Sequence, residues 1–221
     1  MPAVMELDAS HETVAALQRL VPEAIVGGGS FASWLPHPRT LLPAERMTSF
    51  ASAQESAVDK CVRGLLRRVG LREDTHVATA QAGNREWPPG LVGSLTDKGT
   101  VVLGVIVDIA SVSMIGIDLE RMDRSDLGAI EPLIAPEGLP SGMDPPLARL
   151  LVFSAKEAVF KAQYPTTHQP LDFSEVRFAW VESDGESFRA AVRRPSLGLE
   201  IRAVRVGVWV VTMAICVKPR P

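Results

Sequence analysis

The chain has 221 residues, 46% of them apolar, and a net charge of −3. That is enough apolar material for one full domain or two small ones, and there is no basic excess of the kind that marks nucleic-acid binders. No apolar run reaches membrane length without interruption and the acidic start has no hydrophobic signal core, so a soluble, cytoplasmic protein without nucleic-acid or membrane partners is expected.

Residues 10–20 read as a short helix, and Val26-Gly27-Gly28-Gly29-Ser30 as a turn or flexible loop. That glycine run lacks the spacing and lysine of a phosphate-binding P-loop. A long helix is predicted over 43–69, where Ala57, Val58, Cys61, Val62, Leu65, Leu66 and Val69 follow the helical period and Gly70 suits a C-terminal cap. A short strand over 77–80, an irregular loop over 83–90 and a strand over 91–96 follow, then a tight turn at Asp97-Lys98-Gly99-Thr100. Strands over 101–110 and 114–119 are read as a hairpin. A Gly- and Pro-rich connection carries one short helix near 126–134. A second long helix contains Phe153 to Ala162. Segments 175–182, 186–192 and 200–217 read as an antiparallel meander. Long helix followed by strands, without strict βαβ alternation, is an α+β pattern. Cys61 and Cys216 lie far apart in apolar surroundings and read as free thiols, with a single disulfide as the alternative. The four histidines are scattered without metal-ligand spacing, and Ser94 lacks the second glycine of a hydrolase nucleophile elbow. Trp34, Trp87, Trp180 and Trp209 read as core or interface residues, because no basic stripe accompanies them.

Two acidic clusters carry the chemistry. Glu157 and Lys161 are four apart on the second long helix and share one face. They form either an intrahelical pair on a solvated face or part of a site bordering the apolar stripe. Asp118 and Glu120 are two apart at the end of a β-like run, so both point to one side of the strand. Like charges on one face call for a cation between them. With Glu157 they offer three hard oxygen ligands, a set suited to Mg²⁺.

Ile115-Gly116-Ile117-Asp118-Leu119-Glu120, followed about forty residues later by Phe153-Ser154-Ala155-Lys156-Glu157-Ala158-Val159-Phe160-Lys161-Ala162, resembles the paired signature of the 4′-phosphopantetheinyl transferases. The likeness is to the long, pseudo-dimeric group serving siderophore, polyketide and nonribosomal peptide synthases. Trp87 to Thr96, Leu41-Leu42-Pro43-Ala44-Glu45 and Cys61 to Gly70 are similar to further segments of that group, so the resemblance covers about residues 41–217. It implies two similar α+β lobes, here 1–110 and 111–221, each a long helix on a small antiparallel sheet, with the active site in the cleft between them and a monomeric assembly. It implies transfer of 4′-phosphopantetheine from coenzyme A to a serine of an acyl or peptidyl carrier protein. Mg²⁺ would be held by Asp118, Glu120 and Glu157. Glu157 would accept the serine proton and Lys161 would neutralise phosphate charge. Thr96 and Arg85 would contact the pyrophosphate and nucleotide. Lys156 would reach the same phosphates or be solvated. Arg121, Arg124 and Arg149 would meet an acidic carrier-protein helix.

The sequence departs from the family pattern on one side. Asp97 stands where the family carries a histidine that contacts the 3′-phosphate of coenzyme A, and Asp59 where it carries an arginine. Residues 50–55 lack the family's basic run. A single lost charge-assisted hydrogen bond costs about 1.5–3 kcal/mol, so several together reach on the order of 5 kcal/mol, or thousands-fold in affinity. Two alternatives therefore stand beside the transferase: a diverged enzyme of the same fold acting on a carrier-bound intermediate or on a donor without the 3′-phosphate, and a non-catalytic carrier-protein-binding protein.

Overall fold

A computed structural model of the chain describes residues 3–22, 24–30, 43–72, 74–75, 77–79, 85–123, 127–134, 143–183, 187–193 and 197–218. Leu41, Leu42, Gly83, Arg124, Trp34, His37 and His76, each used in the sequence reading, lie outside the described residues.

The architecture is α+β. Helix α1 (Ala3–Leu20) buries Ala16 and Leu17 and is followed by strand β1 (Ile25–Ser30). Gln18 donates from Nε2 to the carbonyls of Val21 (3.2 Å) and Ala24 (2.7 Å) and so shapes the turn between them. Helix α2 (Pro43–Arg68) packs the apolar stripe expected of it, with Val62, Leu65 and Leu66 buried. Short strands β2 (Ala78–Thr79) and β3 (Arg85–Glu86) pair with each other. Strands β4 (Leu91–Lys98) and β5 (Val101–Asp108) form a hairpin through the two-residue loop Gly99-Thr100, with Gly99 at φ 58°.

Two expectations fail here for identifiable reasons. The glycine run 26–30 is a strand, paired antiparallel with β5. Glycine depresses strand propensity, but a Cβ at Gly28 would lie 2.6 Å from the Val102 carbonyl oxygen and 2.7 Å from Leu103 Cδ2. Close packing against β5 demands the residue that propensity disfavours. The second failure is the 101–110/114–119 hairpin. Strand β5 sits between β1 and β4 in a three-stranded sheet, whereas β6 (Val112–Arg121) crosses into another sheet of order β6-β10-β9-β8-β7. Both strands are buried and β-branched, so side-chain pattern does not choose their partners.

That second sheet contains β7 (Phe178–Ser183), β8 (Ser187–Val192), β9 (Glu200–Val206) and β10 (Trp209–Val217), all antiparallel. The segment 200–217, read as one strand, is two strands joined by Gly207-Val208, with Gly207 at φ 58°. Before it come α3 (Leu127–Ile134), α4 (Pro145–Thr167) and a 3₁₀ turn at Phe173–Glu175. Helix α4 starts where Asp144 accepts from the Leu147 amide and Pro145 takes the first turn. It stops at His168 in the left-handed conformation.

The two sheets meet edge to edge at β4 and β6, where the Ile117 amide donates to Ser94 Oγ (3.1 Å). A buried cluster from α1, β5, β6 and β10 runs beneath the junction. Helix α4 lies on the other face of the second sheet. Gly116 permits this: a Cβ there would be 2.1 Å from the Ala158 carbonyl oxygen and 2.5 Å from the Ala162 nitrogen. Helix backbone thus rests on strand backbone next to the stretch of β6 that carries the two carboxylates.

Candidate active site

The β4–β6 junction and α4 bring together the residues that the sequence singled out. Leu119 and Ile117 alternate into the core beneath, so Asp118 and Glu120 face the other way, toward α4 and β4. Both carboxylates are buried, at 5% and 4% exposure. Each has found a cation. Lys161 Nζ donates to Asp118 Oδ1 at 2.7 Å and to Thr96 Oγ1 at 3.2 Å. Lys98 Nζ reaches both oxygens of Glu120, at 2.9 and 2.8 Å. Thr96 Oγ1 lies 3.4 Å from Asp118 Oδ1. Glu157 opens on the same pocket of about 300 Å³, which also exposes Phe153, Thr96, Lys98 and Lys161.

Ser154, absent from the sequence reading as a site residue, donates to Asp118 Oδ2 at 2.9 Å. Its spacing gave a signal: residues 154, 157 and 161 lie three and four apart, one face of α4. Lys98 was legible only as part of the turn at 97–100; its bidentate grip on Glu120 depends on β4 lying beside β6.

Glu157 differs electrically from its neighbours. Burial pushes its carboxyl above the usual carboxylate range, the nearby Asp118 adds to this, Lys161 opposes it, and Glu120 and Lys98 contribute smaller effects of each sign. Its carboxyl is therefore poised to hold or accept a proton.

Two sequence-predicted residues stand elsewhere. Lys156 is 1% exposed and points away from the pocket, donating to the carbonyls of Phe173 (2.8 Å) and Leu133 (3.3 Å). Successive helix residues diverge by about 100°, so Lys156 cannot share a face with Glu157. It ties α3 and the 3₁₀ turn to α4. Arg85 lies on β3, with Nη2 3.9 Å from Asp59 Oδ1, and lines a separate cavity of about 680 Å³. That cavity follows the same seam of β4, β6 and α4, between Leu91–Gly93, Ser113–Ile115 and the last turn of α4. Asp97 is exposed and accepts from Gln54 Nε2. Of the expected rim arginines, Arg121 pairs with Asp123 (2.7 Å) and lies 5.1 Å from the Trp209 ring centre, and Arg149 pairs with Glu131 (2.8 Å). Both cysteines are free.

The donor chemistry of the pocket suits a divalent cation: three carboxylates, one of them driven toward protonation by burial and by the other two. Among the described residues the three do not form a ready-made metal centre, and in this structure Lys98 and Lys161 pair with two of them.

The family model of the 4′-phosphopantetheinyl transferase superfamily matches residues 114–209, the span that contains most of β6 and all of α4. The chain is 30% identical over 188 residues to 4′-phosphopantetheinyl transferase Svp of Streptomyces mobaraensis, covering 80% of this chain and 76% of that protein. It is 36% identical over 135 residues to enterobactin synthase component D of Salmonella typhimurium, covering 58% and 54% of the two chains. To 4′-phosphopantetheinyl transferase PptT of Mycobacterium tuberculosis it is 29% identical over 127 residues, covering 56% of each.

Proposed function

The chain belongs to the 4′-phosphopantetheinyl transferase superfamily, and we propose that it moves 4′-phosphopantetheine from coenzyme A to a serine hydroxyl of an acyl or peptidyl carrier protein of secondary metabolism. The observation that carries the reading is the meeting of Asp118, Glu120, Glu157, Lys161 and Thr96 in one pocket, from three elements remote in sequence. The same reading takes the chain as a cytoplasmic monomer of two lobes, 1–110 and 111–221.

In this reaction the serine oxygen bonds to the phosphorus next to the pantetheine arm. The bond from that phosphorus to the bridging oxygen breaks, and adenosine 3′,5′-bisphosphate leaves. Little covalent work falls to the protein; positioning and charge neutralisation carry the catalysis. Glu157, directly or through a water, accepts the serine proton. Lys161 turns from Asp118 to a phosphate oxygen, and Thr96 donates a hydrogen bond to the pyrophosphate. Asp118, Glu120 and Glu157 would hold Mg²⁺, which supplies positive charge to the pyrophosphate oxygens. Ser154 keeps the Asp118 carboxylate oriented when Lys161 leaves it. The 680 Å³ cavity along the same seam, lined by Trp87, Met114 and Tyr164, suits the slim pantetheine arm.

Asp97, bonded to Gln54, and Asp59, facing Arg85, favour a second reading of the donor. Carboxylates in these places disfavour a dianionic 3′-phosphate, so a donor lacking that group fits the same catalytic pocket. Intact-protein mass spectrometry tests both. An apo carrier protein is incubated with this protein, Mg²⁺ and either coenzyme A or its 3′-dephospho form, beside an active control transferase and Glu157→Ala. Addition of the phosphopantetheine mass, lost in the variant, is expected, and the better donor distinguishes the readings. No addition with either donor across several carriers would sink both.

A further inference from the structure

At the edge of the three-stranded sheet opposite β4, a second cavity of about 470 Å³ opens between β1 and one face of α2. Its walls are Gly27–Ser30 on the strand and Ala57, Lys60, Cys61, Gly64, Arg67 and Arg68 on the helix, with Val102 beneath. The helix positions recur at three and four residues, so they form one face. The volume lies in the range of small-ligand sites.

Two of its glycines have no conformational or packing explanation. Gly64 sits inside α2, where glycine costs about 1 kcal/mol relative to alanine. A Cβ there would meet nothing within 4 Å, and its φ is not positive. Gly29, within β1, is the same on both counts. Their neighbour Gly28 is different, being forced by the Val102 carbonyl. What Gly29 and Gly64 accomplish is to leave the cavity open.

The charge lining it is of one sign. Lys60, Arg67 and Arg68 contribute cations, and no carboxylate lines it among the described residues. Arg67 and Arg68 also suit the C-terminal turn of α2, and Arg68 donates to the Val26 carbonyl. Cys61 and Val102 give the cavity its apolar lining.

We propose that the α2–β1 cavity is a second binding site, separate from the carboxylate pocket, for a small organic anion with a flat or slim apolar body. The cations take the anionic group, and the space kept by Gly29 and Gly64 takes the body. The inference is independent of the transferase reading.

The test is a ¹⁵N NMR titration of the full chain, without coenzyme A, using 8-anilinonaphthalene-1-sulfonate as probe. Saturable shifts of the Gly27, Gly28, Gly29 and Gly64 amides are expected. The double variant Lys60→Gln/Arg67→Gln is expected to bind about tenfold or more weakly, since it removes charge-assisted contacts. Gly64→Leu, a favourable helix substitution that fills the cavity, is expected to abolish the shifts at 27–29; Gly29→Val serves the same end if that variant does not fold. Shifts confined to the β4–β6–α4 seam, or unchanged binding in the double variant or the filled variants, would overturn the proposal.

Discussion

Replacing Glu157 by glutamine is expected to stabilise this protein while stopping its chemistry. The substitution keeps the shape of the side chain and removes one charge from a pocket that holds three carboxylates. Burial raises the Glu157 carboxyl first, Asp118 second, and Glu120 adds to them against Lys161 and Lys98. An acid whose folded value is raised binds its proton more tightly in the folded state than in the unfolded one. Its ionised form therefore opposes folding above the raised value, and the penalty fades as pH falls to the ordinary carboxylate range near about 4.3. Glu157 is half-buried, so solvent screens part of the effect. A gain of about 1 kcal/mol is the usual scale for relieving a functional site of this kind. For a chain of this size that corresponds to a melting point higher by about 2–4 °C. Calorimetry of both proteins without added metal, at pH 8 and again at pH 4.5, measures it. The gain is expected at pH 8 and is expected to be smaller at pH 4.5. A Glu157→Gln variant that melts lower than the natural chain at pH 8, or whose advantage does not change with pH, would refute the electrostatic reasoning. Added Mg²⁺ is expected to raise the melting point of the natural chain more than that of the variant, because the variant has lost a ligand.

Gly116→Ala places a methyl group against helix backbone, which cannot yield as a side-chain tip can. A loss of about 3 kcal/mol in urea unfolding is expected, with transfer reduced further because α4 carries Glu157 and Lys161 away from Asp118. Lys156→Met leaves the carbonyls of Phe173 and Leu133 without their donor, at a cost of about 1–3 kcal/mol each. Denaturation is expected to register this strongly while kcat of the folded fraction changes less than in Lys161→Met; the reverse order would place Lys156 in the reaction. Burial pushes the Cys61 thiol up to about 12, its sulfur packed beneath Gly104. Iodoacetamide at pH 8, followed by peptide mass spectrometry, is expected to label Cys61 far more slowly than an ordinary thiol because little of it is thiolate at that pH, and rapid labelling would contradict the raised value.

Much of the site was legible in the sequence because its parts obey local periodicities. The two-residue step from Asp118 to Glu120 puts both on one face of any strand. The four-residue step from Glu157 to Lys161 puts both on one face of any helix, and the helix signals of 145–167 are strong. The α+β class followed from the same patterns. The partners of each strand were not legible. Strand β5 and strand β6 are both buried and β-branched, and only the assembled sheets decide that one pairs with β4 and the other with β10. The glycine strand β1 was hidden because its reason is a neighbour, the Val102 carbonyl, rather than its own propensity. Lys161 reads as a cation near phosphate, and Lys156 as a second one or as a solvated side chain. Helix rotation buries Lys156 beneath α3 and delivers Lys161 to Asp118. Sequence set the chemical groups and their local facing, since those depend on bond geometry within one element. The tertiary structure alone set which groups meet, which cations already neutralise the acids and how Glu157 is charged, since those depend on distances and burial between elements.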